Sequence, residues 1–405
     1  VDCDEPLTAL QRSQTAVHFS EVRSALDITQ AEENEDPRTE IIHSTIEEYL
    51  KLDYLEEELI DQAERVAGKA STDLKNLMPQ AKEVSVYEIR DLLKEMIDER
   101  TGNAGEKREN EEYDEDKILI EEWPVLTQTT KTRDRRSSII VREDSIEKTV
   151  LTSFLKSVHL VDRLREVRVF RGFRRVETTG PLTYPNLGRE KPTWLPAIEV
   201  YGEGFFLEFD HVKLKAWENA ESEKLEQRLR PIKEELSKSE GVIQRLQTRL
   251  DVLARFIVLH TFSHALMRQL CYECGYSGAS LRERLYAFDD KTGVLIYTAD
   301  GDSEGSLGGL VRQGNVELLQ GVIFTALERI EWCSNDPICR EMPPHGPGKS
   351  NRATCHACTL ASETSCTEFN ALLDRELLIG EGSSGPKGFF WDTMKDRFGE
   401  GSVHA

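Results

Sequence analysis

Five of the chain's eight cysteines crowd one stretch near the C-terminus: Cys333, Cys339, Cys355, Cys358 and Cys366, spaced C-x5-C-x15-C-x2-C-x7-C. A C-x2-C step brings two thiolates to one ion from a single backbone turn. Two further thiolates complete the tetrahedral sulfur shell that a structural zinc takes. Between Cys339 and Cys355 lie Pro343, Pro344, Gly346, Pro347 and Gly348, so that segment has no helix or strand pattern and a metal at its ends would order it. The preferred ligands are Cys333, Cys339, Cys355 and Cys358, with Cys366 as the alternative to Cys333; His345 and His356 are further chemical options. Four thiolates leave no open coordination position, so Zn2+ here is structural and not catalytic. Such binding supplies on the order of 10 kcal/mol of folding free energy. Disulfides, or a set of reduced buried thiols, are the competing readings. A chain of 405 residues has enough core to do without disulfides, and free thiolates imply a reducing, cytoplasmic setting.

The same length sets an expectation of two or three domains. A net charge of -22 with 31% charged residues argues against a protein that coats nucleic acid generally, while leaving room for a local basic groove. Apolar runs fall short of the roughly 18 to 20 residues that cross a bilayer, so no membrane partner is expected. The chain opens on Val1 and not on Met, which suggests the tail of a longer protein whose remnant covers 1–30, with Cys3 either a bland thiol or a ligand of a site begun upstream.

Residues 1–30 read as a short strand and then a helix near Thr15–Phe19. An acidic helical insertion is expected over 31–143, with periodicity at Ile46–Leu50 and Leu55–Ile60, a helix opening after Ser85, and an aperiodic loop from Thr101 to Asp116. Its charge is read as a solvated face, with an acidic partner surface or nucleic-acid mimic as the alternative. The charge then inverts. Lys131, Arg133, Arg135 and Arg136 form one basic cluster, and Arg163, Arg165, Arg168, Arg171, Arg174 and Arg175 a second, interleaved with Phe170 and Phe173. A strand carrying that comb is either a phosphate-contacting ridge or a row of arginines paired with the chain's many carboxylates. Trp194–Val200 and Gly204–Phe209 read as a hairpin around Gly202-Glu203-Gly204. A charged helix is expected from Trp217 to about Leu250, broken at Pro231, then an apolar helix from Leu253 to Cys274 stopped by Gly275. Gly293–Thr298 reads as a buried central strand, and Val316–Glu331 as a helix leading into Cys333. The fold class is therefore mixed α/β (α+β), helix-rich, with a small central sheet and a C-terminal zinc-binding module at 333–366 inside a domain spanning 144–380, and a tail at 381–405.

Two other constellations carry possible chemistry. His260 and His264 sit four apart on the apolar helix and share a face. Thr261 stands where a zinc protease needs its general-base Glu, so the pair is read as structural. The competing reading is a DNA hydrolase that joins these histidines to Asp300 and Asp302. The turn from Asp300 to Gly309 lacks a Walker lysine and its acids repel phosphate, so Gly308 and Gly309 are read as a tight turn packed on the histidine helix or the metal site. Cys271 and Cys274 are read as core residues.

Leu259-His260-Thr261-Phe262-Ser263-His264, Glu273-Cys274-Gly275-Tyr276-Ser277, Ser280-Leu281-Arg282-Glu283-Arg284, the Gly-Gly turn, the C-x2-C and Leu373-Asp374-Arg375 follow one another in an order that resembles the zinc-binding C-terminal domain of MrfA-type DNA repair helicases. Pro6-Leu7-Thr8-Ala9-Leu10-Gln11-Arg12, the segment Trp194–Phe209 and the region from Cys333 to Asp374 make the chain more similar to the DrmB subunits of DISARM anti-phage systems. The resemblance covers roughly residues 1–30 and 145–380. It implies a subunit without a motor of its own, bound zinc, a superfamily-two helicase partner of the DrmA type, and engagement of DNA, single-stranded or at a duplex end. ATP hydrolysis would then belong to the partner.

Overall fold

The computed structural model describes residues 19–29, 63–77, 115–130, 137–175, 181–186, 192–239, 241–288, 290–298, 309–380 and 385–398, with a few isolated positions between 42 and 89. The chain divides into two units, Val1–Gln30 with Ile118–Ala405, and Ala31–Lys117. In the smaller one, helix α1 (Ala63–Leu77) buries Val66, Ala67 and Ala70. After it, the Ile89 N–H donates to the Ser85 carbonyl at 3.2 Å, as a helix opening at that serine requires. Ile46 apart, the Ile46–Leu50 and Leu55–Ile60 stretches lie outside the described residues, as do the basic cluster at 131–136, the Asp300 to Gly308 turn and Cys3.

The larger unit is a mixed α+β fold on a six-stranded antiparallel sheet. Its strands are β1 (Phe19–Leu26), β2 (Ile140–Asp144), β3 (Leu155–Arg174), β4 (Ala197–Phe209), β5 (Leu281–Ala287) and β6 (Thr292–Thr298), in the order β1-β3-β4-β6-β5 with β2 also on β3. Phe19, expected at the end of a helix, instead opens β1. The loop expected up to Asp116 gives way at Glu115 to helix α2 (Glu115–Leu126).

Side-chain alternation sorts the sheet's two faces. Phe205, Leu207, Phe209, Val294 and Ile296 enter one apolar core, while Phe206, Leu295 and Tyr297 enter the other beside Trp123 and Tyr286. Every residue of β6 is buried, which suits its central position. On the second face Glu122 of α2 is buried. It accepts from Arg284 Nε at 2.7 Å, Arg284 Nη2 at 2.8 Å, the Tyr286 hydroxyl at 2.8 Å and the Leu26 N–H at 2.8 Å. Four donors satisfy a carboxylate that would otherwise be costly to bury.

The expected hairpin at 194–209 is instead one continuous strand, β4. Its Gly202-Glu203-Gly204 step lies inside the ladder, with Gly202 opposite Leu164 and Gly204 opposite both Val161 and Tyr297. A Cβ at Gly204 would lie 2.1 Å from the Ile296 carbonyl oxygen. The glycine therefore admits the neighbouring backbone and makes no turn.

The long charged helix expected after Trp217 is three pieces. These are α3 (His211–Ala220, capped by Asp210), α4 (Ser222–Leu236, with Pro231 inside) and a 3-10 stretch, Gly241–Val252. Next comes α5, Leu253–Cys274, ended by Gly275 at φ 71°, as its apolar run and glycine stop predict. Gln244–Cys274 is long and apolar enough to cross a membrane by length and composition, against the sequence expectation, but 78% of its most apolar window is buried in the protein. It is the core helix. Beside it pack α6 (Gly309–Gly314) and α7 (Val316–Glu331). Cys271 and Cys274 are half-buried against that core.

Candidate metal centre

Helix α7 ends at Glu331 and delivers Cys333. The short helix Ile338–Glu341 carries Cys339, and a tight turn presents Cys355 and Cys358, where the Cys358 N–H returns to the Cys355 carbonyl at 3.1 Å. The four sulfurs lie within 4.8 Å of one another. Three of the edges are 3.5 Å for Cys333–Cys355, 3.7 Å for Cys355–Cys358 and 3.8 Å for Cys339–Cys358. A zinc–sulfur bond of about 2.3 Å in a tetrahedron gives edges of about 3.8 Å, so the cage has the size of a zinc site.

The donor chemistry agrees. The Cys355 N–H donates to Cys358 Sγ at 3.3 Å, the Asn335 N–H to Cys333 Sγ at 3.4 Å and Asn335 Nδ2 to Cys355 Sγ at 3.4 Å. Such donors stabilise thiolate charge. Burial opposes ionisation of Cys355, but hydrogen bonds from Asn335 and the nearby backbone outweigh it and lower the thiol to about 7. Burial pushes Cys333 up to about 11. Bound metal replaces those protons. The four-cysteine set is a structural zinc site.

Helix α5 holds the knuckle from behind. Arg268 donates to the His356 carbonyl at 3.2 Å and to the Ala357 carbonyl at 2.8 Å, and His264 Nδ1 meets the Thr359 carbonyl at 2.9 Å. Cys366, the alternative ligand, is not in this cage: its sulfur lies 3.1 Å from His260 Nε2. His345 is not a ligand either, since its ring nitrogens meet the carbonyls of Pro343 and Thr354 at 3.1 and 3.0 Å. His356 is exposed.

His260 and His264 stack edge to face at 4.5 Å between ring centroids, and both are completely buried. Glu283 on β5 reaches both, a contact that residue spacing alone did not reveal. Gly309 opens α6 where a Cβ would meet the Tyr276 hydroxyl at 2.8 Å.

From Arg163 to Arg174 the arginine comb lies along β3 and is half-buried, and Arg175 follows the end of the strand. Arg165 pairs with Asp27, Arg168 with Glu166 at 2.8 Å, Arg171 with Glu21 at 2.6 Å, and Arg174 with Glu21. Arg163 lies over the Tyr201 ring at 5.8 Å, and Arg175 is exposed. Of the two readings of the comb, the carboxylate-paired one describes Arg165, Arg168, Arg171 and Arg174.

Comparison with known proteins agrees with the cage. Residues 262–359 match the MrfA Zn-binding domain family, a span that takes in all four cysteines and reaches back into helix α5. In an alignment 396 positions long that covers 93% of this chain, the sequence is 31% identical to DISARM protein DrmB of Bacillus paralicheniformis. The chain spans 65% of that relative's length. Its residues 262–359 are thus similar to the MrfA Zn-binding domain, with Cys333, Cys339, Cys355 and Cys358 as the zinc cage, in a chain similar in sequence to DISARM protein DrmB.

Proposed function

We propose that this chain is a non-catalytic, zinc-containing subunit of an anti-phage defence assembly of the DISARM type. In it the chain docks on a superfamily-two helicase and helps engage DNA. The observation that carries the reading is the closed four-cysteine cage in a chain similar to DrmB over 93% of its length. A saturated thiolate shell offers substrate no position, so the metal serves architecture. Tyr272 and Trp332, both largely exposed, line one groove next to the knuckle, and exposed aromatic side chains are what protein interfaces favour.

For DNA we propose contact through the outer end of the comb, Arg171 on β3 and Arg175 just beyond the strand. Their removal leaves the fully buried Glu166 with its Arg168 partner. If both touch phosphate, the double replacement by Ala lowers the slope of log affinity against log salt for the assembled complex by about 2. An unchanged slope removes the ridge from the DNA path. Co-purification of the chain with a co-expressed superfamily-two helicase of the DrmA type tests the partnership.

The hydrolase reading finds little support at its histidines, because His260 and His264 have no exposed surface from which to reach a substrate. DNA cleavage by the isolated chain with added divalent ions, lost in His264→Ala with folding intact, would restore it.

A further inference from the structure

The cage of four cysteines has a neighbour of different composition. His260 and His264 from α5, Glu283 from β5 and Cys366 from the loop after the knuckle point one donor atom each into a common space, all within 4.8 Å of one another. His260 Nε2 lies 3.1 Å from Cys366 Sγ and 3.1 Å from Glu283 Oε1, and His264 Nε2 lies 3.1 Å from the same oxygen. Metal–ligand bonds of about 2.0–2.3 Å in a tetrahedron give edges of about 3.3–3.8 Å, so small outward shifts of these atoms open the cage to an ion. We propose that His260, His264, Glu283 and Cys366 hold a second divalent ion of the zinc class, enclosed in the core and distinct from the four-cysteine site.

Proton bookkeeping at His264 carries the argument. Its Nδ1 faces the Thr359 carbonyl at 2.9 Å, and a carbonyl only accepts, so the ring proton sits on Nδ1. A neutral His264 then aims the lone pair of Nε2 at a carboxylate oxygen 3.1 Å away. Two acceptors face each other unless a metal ion or an added proton lies between them. That arrangement, one ring nitrogen ligating and the other donating to a carbonyl, is how metal-bound histidines are oriented.

Charge gives the same answer. The Glu283 carboxylate is completely buried, with one oxygen 3.1 Å from each of the two imidazoles. An anionic carboxylate in a dry core needs a positive partner. A divalent ion with one carboxylate, one thiolate and two neutral imidazoles sums to zero, the least costly total for a site without water. The mixed set of imidazole, thiolate and carboxylate suits zinc. With all four positions taken by protein and the side chains buried, the ion would pin β5 and the loop at Cys366 onto α5. The competing state is a metal-free cage in which an added proton makes an imidazolium–carboxylate pair.

Elemental analysis joined to zinc-edge X-ray absorption on the purified chain separates the two. The expected result is one more ion than the four-cysteine site accounts for. The average shell would contain sulfur together with imidazole nitrogen, and Glu283→Gln or Cys366→Ser would each remove one ion and leave an all-sulfur shell. A single ion in an all-sulfur shell in the unaltered chain overturns the proposal. If those variants fail to fold, an anomalous-scattering peak among His260, His264, Glu283 and Cys366 in crystals of the unaltered chain supports it, and its absence beside a clear peak at the four-cysteine cage overturns it. Neither result depends on DNA or a helicase, so this test stands apart from the functional proposal.

Discussion

Arg375 lays its guanidinium against Asp336, with Nη2 2.6 Å from Oδ2, while its Nη1 donates to the carbonyls of Ile330 and Glu331 at 3.1 and 3.0 Å. Asp336 Oδ2 in turn accepts the N–H of Cys333 at 3.1 Å. One buried arginine therefore ties the last turn of α7 to the backbone of the first zinc ligand. Arg375→Met removes the charge, keeps much of the volume, takes the arginine from Asp336 and the donor from the buried Ile330 carbonyl, and leaves the Glu331 carbonyl with only Arg340 Nη2 at 3.4 Å. It should lower stability by about 3 kcal/mol, read by urea unfolding, and speed zinc release to a chelator.

Zinc removal should act locally first. Without the ion, four sulfurs remain within 4.8 Å of one another, and the segment between Cys339 and Cys355 has little regular structure beyond the end of the Ile338–Glu341 helix, one 3-10 turn at Pro347–Lys349 and a single bridge between His345 and Asn351. Chelation, or Cys355→Ser, should raise amide exchange across 333–373 by orders of magnitude, while β3, β4 and β6 stay protected. Equal loss of protection in the sheet and the knuckle would show that the metal supports the whole domain.

Acid should weaken the β1–β3 edge at a defined pH. Burial works against ionisation of Asp27, but hydrogen bonds from Thr29, Arg165 and Ser138 outweigh it and lower the pKa from 3.8 to about 2. A carboxyl depressed in the folded state stabilises fully above its unfolded pKa and loses that contribution as pH falls through the folded one. Reduced by solvent screening, its contribution is on the order of 1 kcal/mol, lost between about pH 4 and pH 2. Asp27→Asn should flatten that part of a stability–pH curve relative to the unaltered chain, and identical curves would assign the acid limb to other carboxylates.

The sequence showed most where structure is local. Helix α5 is an apolar run with a glycine stop, α7 is periodic and runs straight to Cys333, and the cage follows from cysteine spacing. What stayed hidden depended on partners distant in the chain. Nothing near Arg171 announces Glu21, its carboxylate, and nothing near Cys366 announces His260; each pair meets only because the sheet and α5 bring separated segments together. Glu283 was visible as part of a family motif, but its place between two histidines needed the β5 register on α5. The Gly202-Glu203-Gly204 step misled because glycine serves turns and close approaches equally, and local sequence does not distinguish the two.

That step gives the sharpest test of the fold. At Gly204 a Cβ would lie 2.1 Å from the Ile296 carbonyl oxygen and 2.8 Å from Tyr297 Cα, so β6 would have to move away from β4. The ladder there pairs Gly204 with Tyr297 and Phe205 with Ile296, and it carries Glu203, whose Oε1 accepts the Leu310 N–H of α6 at 3.0 Å. Gly204→Ala should therefore cost about 3 kcal/mol, at the upper end of overpacking effects because backbone and not a flexible side chain must yield. Were the segment a hairpin turn, an alanine at its end would cost less than about 1 kcal/mol. Urea midpoints at constant slope measure the difference, and a small loss would return the segment to the hairpin that the glycines first suggest.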